Sequence, residues 1–125
     1  GNLGVGGSEQ YANYLTDGQG RSVYMFTADE QGTRGQAAVS NCYDECAEAW
    51  PPLLAKTRPQ AGEGVDEALV GTTERKDGTT QVTYAGWPLY HFVEDRGSGP
   101  AAGQDVEGFG GEWYLLRPNG AKAGH

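Results

Sequence analysis

A chain of 125 residues with 9 basic and 17 acidic side chains, net charge -8, has the size of one domain and lacks the Lys/Arg clusters that nucleic-acid binding needs. No run reaches the roughly 20 apolar residues of a membrane-spanning helix, and no basic start with an apolar run marks a signal peptide, so the sequence reads as a mature or trimmed form. The 21 glycines and 6 prolines fall between short aromatic or β-branched runs, which predicts an all-β, mainly antiparallel domain.

In chain order, Gly1 to Gln10 lacks periodicity and reads as a flexible tether or an appended, non-native remnant, with a single β domain expected over 11–118 and a disordered tail over 119–125. Ala12 to Thr16, the turn Asp17-Gly18-Gln19-Gly20 and Ser22 to Thr27 predict a hairpin, with Tyr24 and Phe26 on one face. Ala28 to Ser40 is loop. Asn41 is placed to cap a short helix from about Tyr43 to Ala49, which Trp50-Pro51-Pro52 stops.

Leu69 to Arg75, Thr80 to Tyr84 and Pro88 to Val93, separated by Lys76-Asp77-Gly78 and Ala85-Gly86, predict a three-strand meander. Glu94 to Gly111 reads as glycine-rich loop, without the strand-to-helix context or Gly-Lys-Ser/Thr of a phosphate cradle, and Glu112 to Arg117 as the last strand. An internal echo links the halves. Tyr14 precedes Tyr24, Phe26 and Asp29, as Tyr84 precedes Tyr90, Phe92 and Asp95, so Tyr-x-Phe-x-x-Asp occurs in both halves and predicts two related β units.

These residues carry a resemblance. Tyr24 to Asp29, Ser40-Asn41-Cys42 with Cys46-Ala47 and Trp50-Pro51-Pro52-Leu53, Arg75-x-Asp77-Gly78, Gln81 to Tyr84, Gly86 to Phe92 with Asp95, and Gly110-Gly111-x-Trp113 resemble the bacterial secreted-repeat lipoproteins described by Tyr-x-(Phe/Trp/Tyr)-x-x-Asp. Members often have glycine two residues after the first cysteine, where Asp44 stands here. The resemblance implies a secreted domain or one on the outer face of the cell envelope, with any lipid anchor upstream of Gly1 as its only link to a membrane. It brings no reaction with it.

In that compartment the only two cysteines, Cys42 and Cys46, read as a disulfide at the helix start. The rival is a soft metal site of Cys42 and Cys46 with Met25 or His91, for copper or zinc, or an envelope redox module with copper or iron; no cofactor is the first expectation. By alternation His91 lies opposite the rings, on a face open to solvent, and His125 sits in the tail. Asp29 and Asp95 read as turn-fixing residues bonded to nearby amides; an acidic pair serving a hydrolase is the lowest-ranked alternative. Most aromatic residues must form the core, while Tyr43 and Trp87 are candidates for stacking on a small ligand or an envelope protein. The leading expectation is a non-catalytic binding or scaffold domain.

Overall fold

A computed structural model of the protein describes residues 2–7, 13–33, 35–57, 59–95 and 102–123. The strands are β1 (Leu3–Gly6), β2 (Tyr14–Asp17), β3 (Tyr24–Phe26), β4 (Val70–Glu74), β5 (Thr80–Tyr84), β6 (Trp87–Pro88), β7 (Val106–Gly108) and β8 (Gly111–Leu115). One helix, α1 (Glu45–Ala49), and a single 3-10 turn at Glu67–Leu69 complete the described elements. The strands form three antiparallel sheets, ordered β1-β2, β3-β8-β7 and β4-β5-β6. The domain is all-β, with one short disulfide-bearing helix.

Alternation along the strands separates two packed clusters. Tyr24 and Phe26 enter one with Trp113 and Leu115 from β8, whereas Met25, Tyr114 and Leu116 enter the other with Leu15, Val82 and Leu89. Each repeat opens on the same hairpin step: the Val23 N–H donates to the Leu15 carbonyl and the Leu89 N–H to that of Val82. Each chain then leaves its hairpin, and Tyr24 and Tyr90 exchange both backbone hydrogen bonds, at 2.8 and 3.0 Å. Leu15 therefore corresponds to Val82, so Tyr14 matches Gln81 and not Tyr84. Tyr14 is buried in the aromatic cluster, whereas Tyr84 packs in the other and donates to the Pro118 carbonyl.

Several expectations change. The supposed tether contains β1, whose Leu3 is 2 % exposed. Leu3 and Val5 alternate with glycines, so one anchor suffices: β1 pairs with β2 on one side, and on the other Leu3 bonds to the Gln60 carbonyl and the Gly62 N–H. Gly1 and 8–12 lie outside the described residues. The tail is held as far as Ala123, which donates to the Leu115 carbonyl and accepts from Gln104 Nε2; 124 and His125 lie outside the described residues. The third meander strand is β6, Trp87 and Pro88, so of the expected Pro88 to Val93 only Pro88 lies in the strand, because Tyr90 crosses to Tyr24 and Pro52. The expected loop contains β7, which the inward packing of Val106 and a two-residue turn at Phe109-Gly110 fold onto β8.

The helix begins two residues later than Tyr43, after Asp44, and no side chain caps it. Asn41 is engaged elsewhere: its N–H donates to Asp29 Oδ1 and its Nδ2 to the Ala28 carbonyl. Asp44 has φ 54 and ψ -120, a conformation suited to glycine. Cys46, in the first helical turn, is bonded to Cys42 with Cα atoms 5.2 Å apart.

Candidate functional site: the crossed motifs

The two Tyr-x-Phe-x-x-Asp segments meet in a reciprocal arrangement. Each forms a backbone turn in which the aspartate N–H donates to the phenylalanine carbonyl, Asp29 to Phe26 and Asp95 to Phe92. The carboxylates look elsewhere than their own turns. Tyr24 Oη donates to Asp95 Oδ2 at 2.5 Å, and Tyr90 Oη donates to Asp29 Oδ2 at 2.7 Å, so each motif's tyrosine holds the other motif's aspartate. The remaining oxygen of each accepts a distant backbone N–H, from Asn41 for Asp29 and from Ala102 for Asp95.

The rings follow the same reciprocity. Phe26, Trp113, Trp50 and Phe92 form a continuous stack, with centroids 3.9, 3.9 and 4.0 Å apart and interplanar angles of 7, 1 and 15°. Tyr24 meets the Trp50 ring edge-on at 5.5 Å, and Tyr90 meets Trp113 at 5.2 Å. Gly103 is required beside this stack, because a Cβ there would lie 2.7 Å from the Trp50 ring and 2.9 Å from that of Tyr24.

Residues 13–54 and 71–117 match a family described as a secreted repeat of unknown function, with one motif in each match. The chain belongs to this family. No curated protein and no solved structure matches the chain. The two repeats of this secreted domain are thus joined through the very residues that recur in them.

Burial determines the protonation of the site. Asp29 is pushed up to about 6 by loss of solvent, which outweighs the Tyr90 hydroxyl, the Asn41 N–H and the Arg75 charge that pull it down. Both tyrosines are raised, chiefly by burial; a hydrogen bond to Asp95 adds to this for Tyr24, and the charge of Asp29 for Tyr90. Their hydroxyls remain protonated donors. Around Asp29 the bonds continue through side chains: Ser40 Oγ and Tyr90 Oη share a hydrogen bond, and Arg75 Nη1 donates to Ser40 Oγ and Gln81 Oε1. Arg75 Nη2 donates to the Cys42 carbonyl, the guanidinium lies 4.3 Å from the Tyr43 ring centroid, and Gln81 Nε2 donates to the Leu89 carbonyl. Arg75 is 5 % exposed, so a charge has been placed in the interior among neutral acceptors, with Asp29 near it and the exposed Asp77 carboxylate 4.0 Å from its Nε.

His91 is turned inward and not toward solvent. Its Nε2 lies 2.9 Å from Asp17 Oδ2, and the side chain is 15 % exposed. Burial lowers the His91 pKa against the opposing pull of Asp17, so at neutral pH the imidazole is uncharged. Burial alone would raise Asp17, but the Arg21 and Gln19 N–H groups and His91 lower it. An ionised carboxylate only accepts, so His91 Nε2 carries the proton. This contact links the first repeat's hairpin turn to the second motif.

The other candidates have structural neighbours. Cys42 and Cys46 are joined in a disulfide and pack in the aromatic cluster, Met25 packs in the opposite one, and His91 is bonded to Asp17. Among the described residues no group of three or more His, Cys, Asp or Glu is placed to hold a metal ion. Tyr43 accepts the Lys76 N–H and lies over Arg75, and Trp87 is half-buried against the Met25 cluster. Sequence reasoning missed the Arg75, Ser40 and Gln81 network and the Asp17–His91 bond. Arg75 and Gln81 stood among the residues of the resemblance, which was their only signal.

Proposed function

We propose that this secreted domain is a binding or scaffold module of the cell envelope, without catalytic activity, presented free or through an upstream lipid anchor to an envelope protein or small ligand. The observation that supports this most is the fate of the motif carboxylates. Asp29 and Asp95 are 6 % and 2 % exposed, and both oxygens of each are engaged in bonds that tie distant segments together. Groups saturated in this way stabilise a rigid platform, and the burial of both among the described residues speaks against a substrate contact. Elemental analysis and a thiol count on tag-free secreted protein, with melting curves of Asp29→Ala and Asp95→Ala, which remove the bonds altogether, provide the test. The reading expects no stoichiometric metal, no thiol under denaturing conditions and lower melting temperatures in both variants. A stoichiometric metal, or a hydrolytic turnover abolished in variants that melt like wild type, would overturn it.

A further inference from the structure

The hairpin joining β7 to β8 is built against its own stability. Its pairing ends at Gly108 and Gly111, so Phe109 and Gly110 form a two-residue loop with φ 57 and 89. Two successive positive φ values define the turn type that favours Asn-Gly, and a bulky aromatic in the first position is strained there. Phe109 gains little burial in exchange: at 51 % it is the most exposed large hydrophobic residue among those described, whereas Val106 and Trp113 of the same hairpin pack inward. Glu107 and Glu112 face each other directly across the strands, both exposed, an arrangement of like charges that weakens pairing. Between 105 and 112 there is no Lys or Arg, and the nearby Lys122 lies over the Tyr114 ring at 4.4 Å.

We infer that Phe109 is the anchor of a docking tip that inserts into an apolar socket rimmed by Lys or Arg on a partner protein. The inference rests on the binding reading above and names the surface that performs it. The ring supplies the buried contact typical of an interface anchor, and the two carboxylates beside it set the sign of the surrounding charge. The same carboxylates oppose insertion into anionic lipid, which selects a protein as the occupant. The strain is then understandable as a local cost retained for recognition.

The test places a photoreactive benzophenone amino acid at 109, and in parallel at 54 and 93, the other two large exposed apolar positions among the described residues, in full-length protein made by its own secreting cells. Position 109 is expected to yield a discrete protein adduct whose cross-linked peptide is apolar and flanked by Lys or Arg, with a yield that falls as salt rises. Excess wild-type protein should suppress this adduct, while Phe109→Asn, which relaxes the turn, should compete about tenfold or more weakly. Adducts from 54 or 93 alone would sink the tip and leave the binding reading standing. No adduct from any of the three would sink both. A lipid adduct at 109, or retention on phosphatidylcholine vesicles that needs Phe109, would replace the protein socket with a membrane.

Discussion

The two ends of the ring stack carry the same rings in different polar settings. At the Asp29 end, Tyr90 reaches through Ser40 to a buried Arg75, and the network consists largely of side chains. At the Asp95 end, Tyr24 is hydrogen-bonded to the Ser22 side chain and its Oη accepts the Gly103 N–H, Asp95 accepts the Ala102 N–H, and the Arg21 guanidinium donates to the Asp95 carbonyl oxygen, so loop backbone stands where the other end has Gln81 and a buried Arg75 behind its serine. A duplicated unit thus keeps its aromatic and Tyr–Asp contacts while the groups that saturate them diverge. What is shared marks the joint between repeats, and what differs marks where each repeat acquired its own support.

Removing the shared part should have the largest effect. Trp50→Ala and Trp113→Ala each open the middle of the stack between fully buried rings, and each should cost about 3–5 kcal/mol. Chemical denaturation of both variants measures this. A loss below about 1 kcal/mol in either would show that the stack does not join the repeats. The polar settings are distinguished by double-mutant cycles: Tyr90→Phe and Ser40→Ala should couple by about 0.5–3 kcal/mol, because their hydroxyls share a bond, while Tyr24→Phe and Ser40→Ala should be additive. Equal coupling in both cycles would erase the proposed difference between the ends.

The Asp29 end carries a pH dependence of its own. Asp29 titrates near 6 in the folded chain and near its ordinary 3.8 when unfolded, so between these values the native state holds a proton that the unfolded state has released. Stability from this group is therefore present at low pH and lost as pH rises through 6, the reverse of a salt-bridged carboxylate. Wild type should lose about 2–3 kcal/mol relative to Asp29→Asn between about pH 4 and 7. Taking the difference between the two proteins removes the contributions of Asp17 and His91, which have the opposite slope. Denaturation at both pH values checks it, and parallel profiles would place Asp29 in a better solvated environment than its burial indicates.

Much of the aromatic framework was legible in the residue pattern. Period-two spacing put Tyr24 and Phe26 on one face, the motif announced a duplication, and the scarcity of leucine forced the tryptophans inward. The crossing of the motifs was not legible, because Tyr24–Asp95 and Tyr90–Asp29 span 71 and 61 residues and local pattern carries no such information. β1 was hidden by glycines around only two apolar side chains, and β7 by a turn whose first residue is Phe instead of Asn. Asn41 had a good capping residue type, yet its N–H is tied to Asp29 and its side-chain amide is turned to the Ala28 carbonyl, away from the helix. His91 is not open to solvent as its alternation suggested, because its strand ends at the hairpin and the residue meets Asp17.

The smallest expected effect tests whether the left-handed Asp44 is strain that this chain merely tolerates. Asp44 occupies φ 54 and ψ -120 with its side chain exposed and making no cap bond, while its carbonyl accepts the Glu48 N–H that starts α1. Glycine there would relieve backbone strain of about 1–3 kcal/mol and raise the entropy of the unfolded chain by about 0.5–1 kcal/mol. The first effect exceeds the second, so Asp44→Gly should stabilise the domain by about 1 kcal/mol, and Asp44→Ala, with a Cβ and no relief, should not. Matched melting curves of the two variants measure the difference. Were glycine to destabilise as it does at an unstrained position, the segment from Cys42 to Cys46 would not be held in this conformation, and the Arg75 support at the Asp29 end, which depends on the Cys42 carbonyl, would lose its fixed anchor.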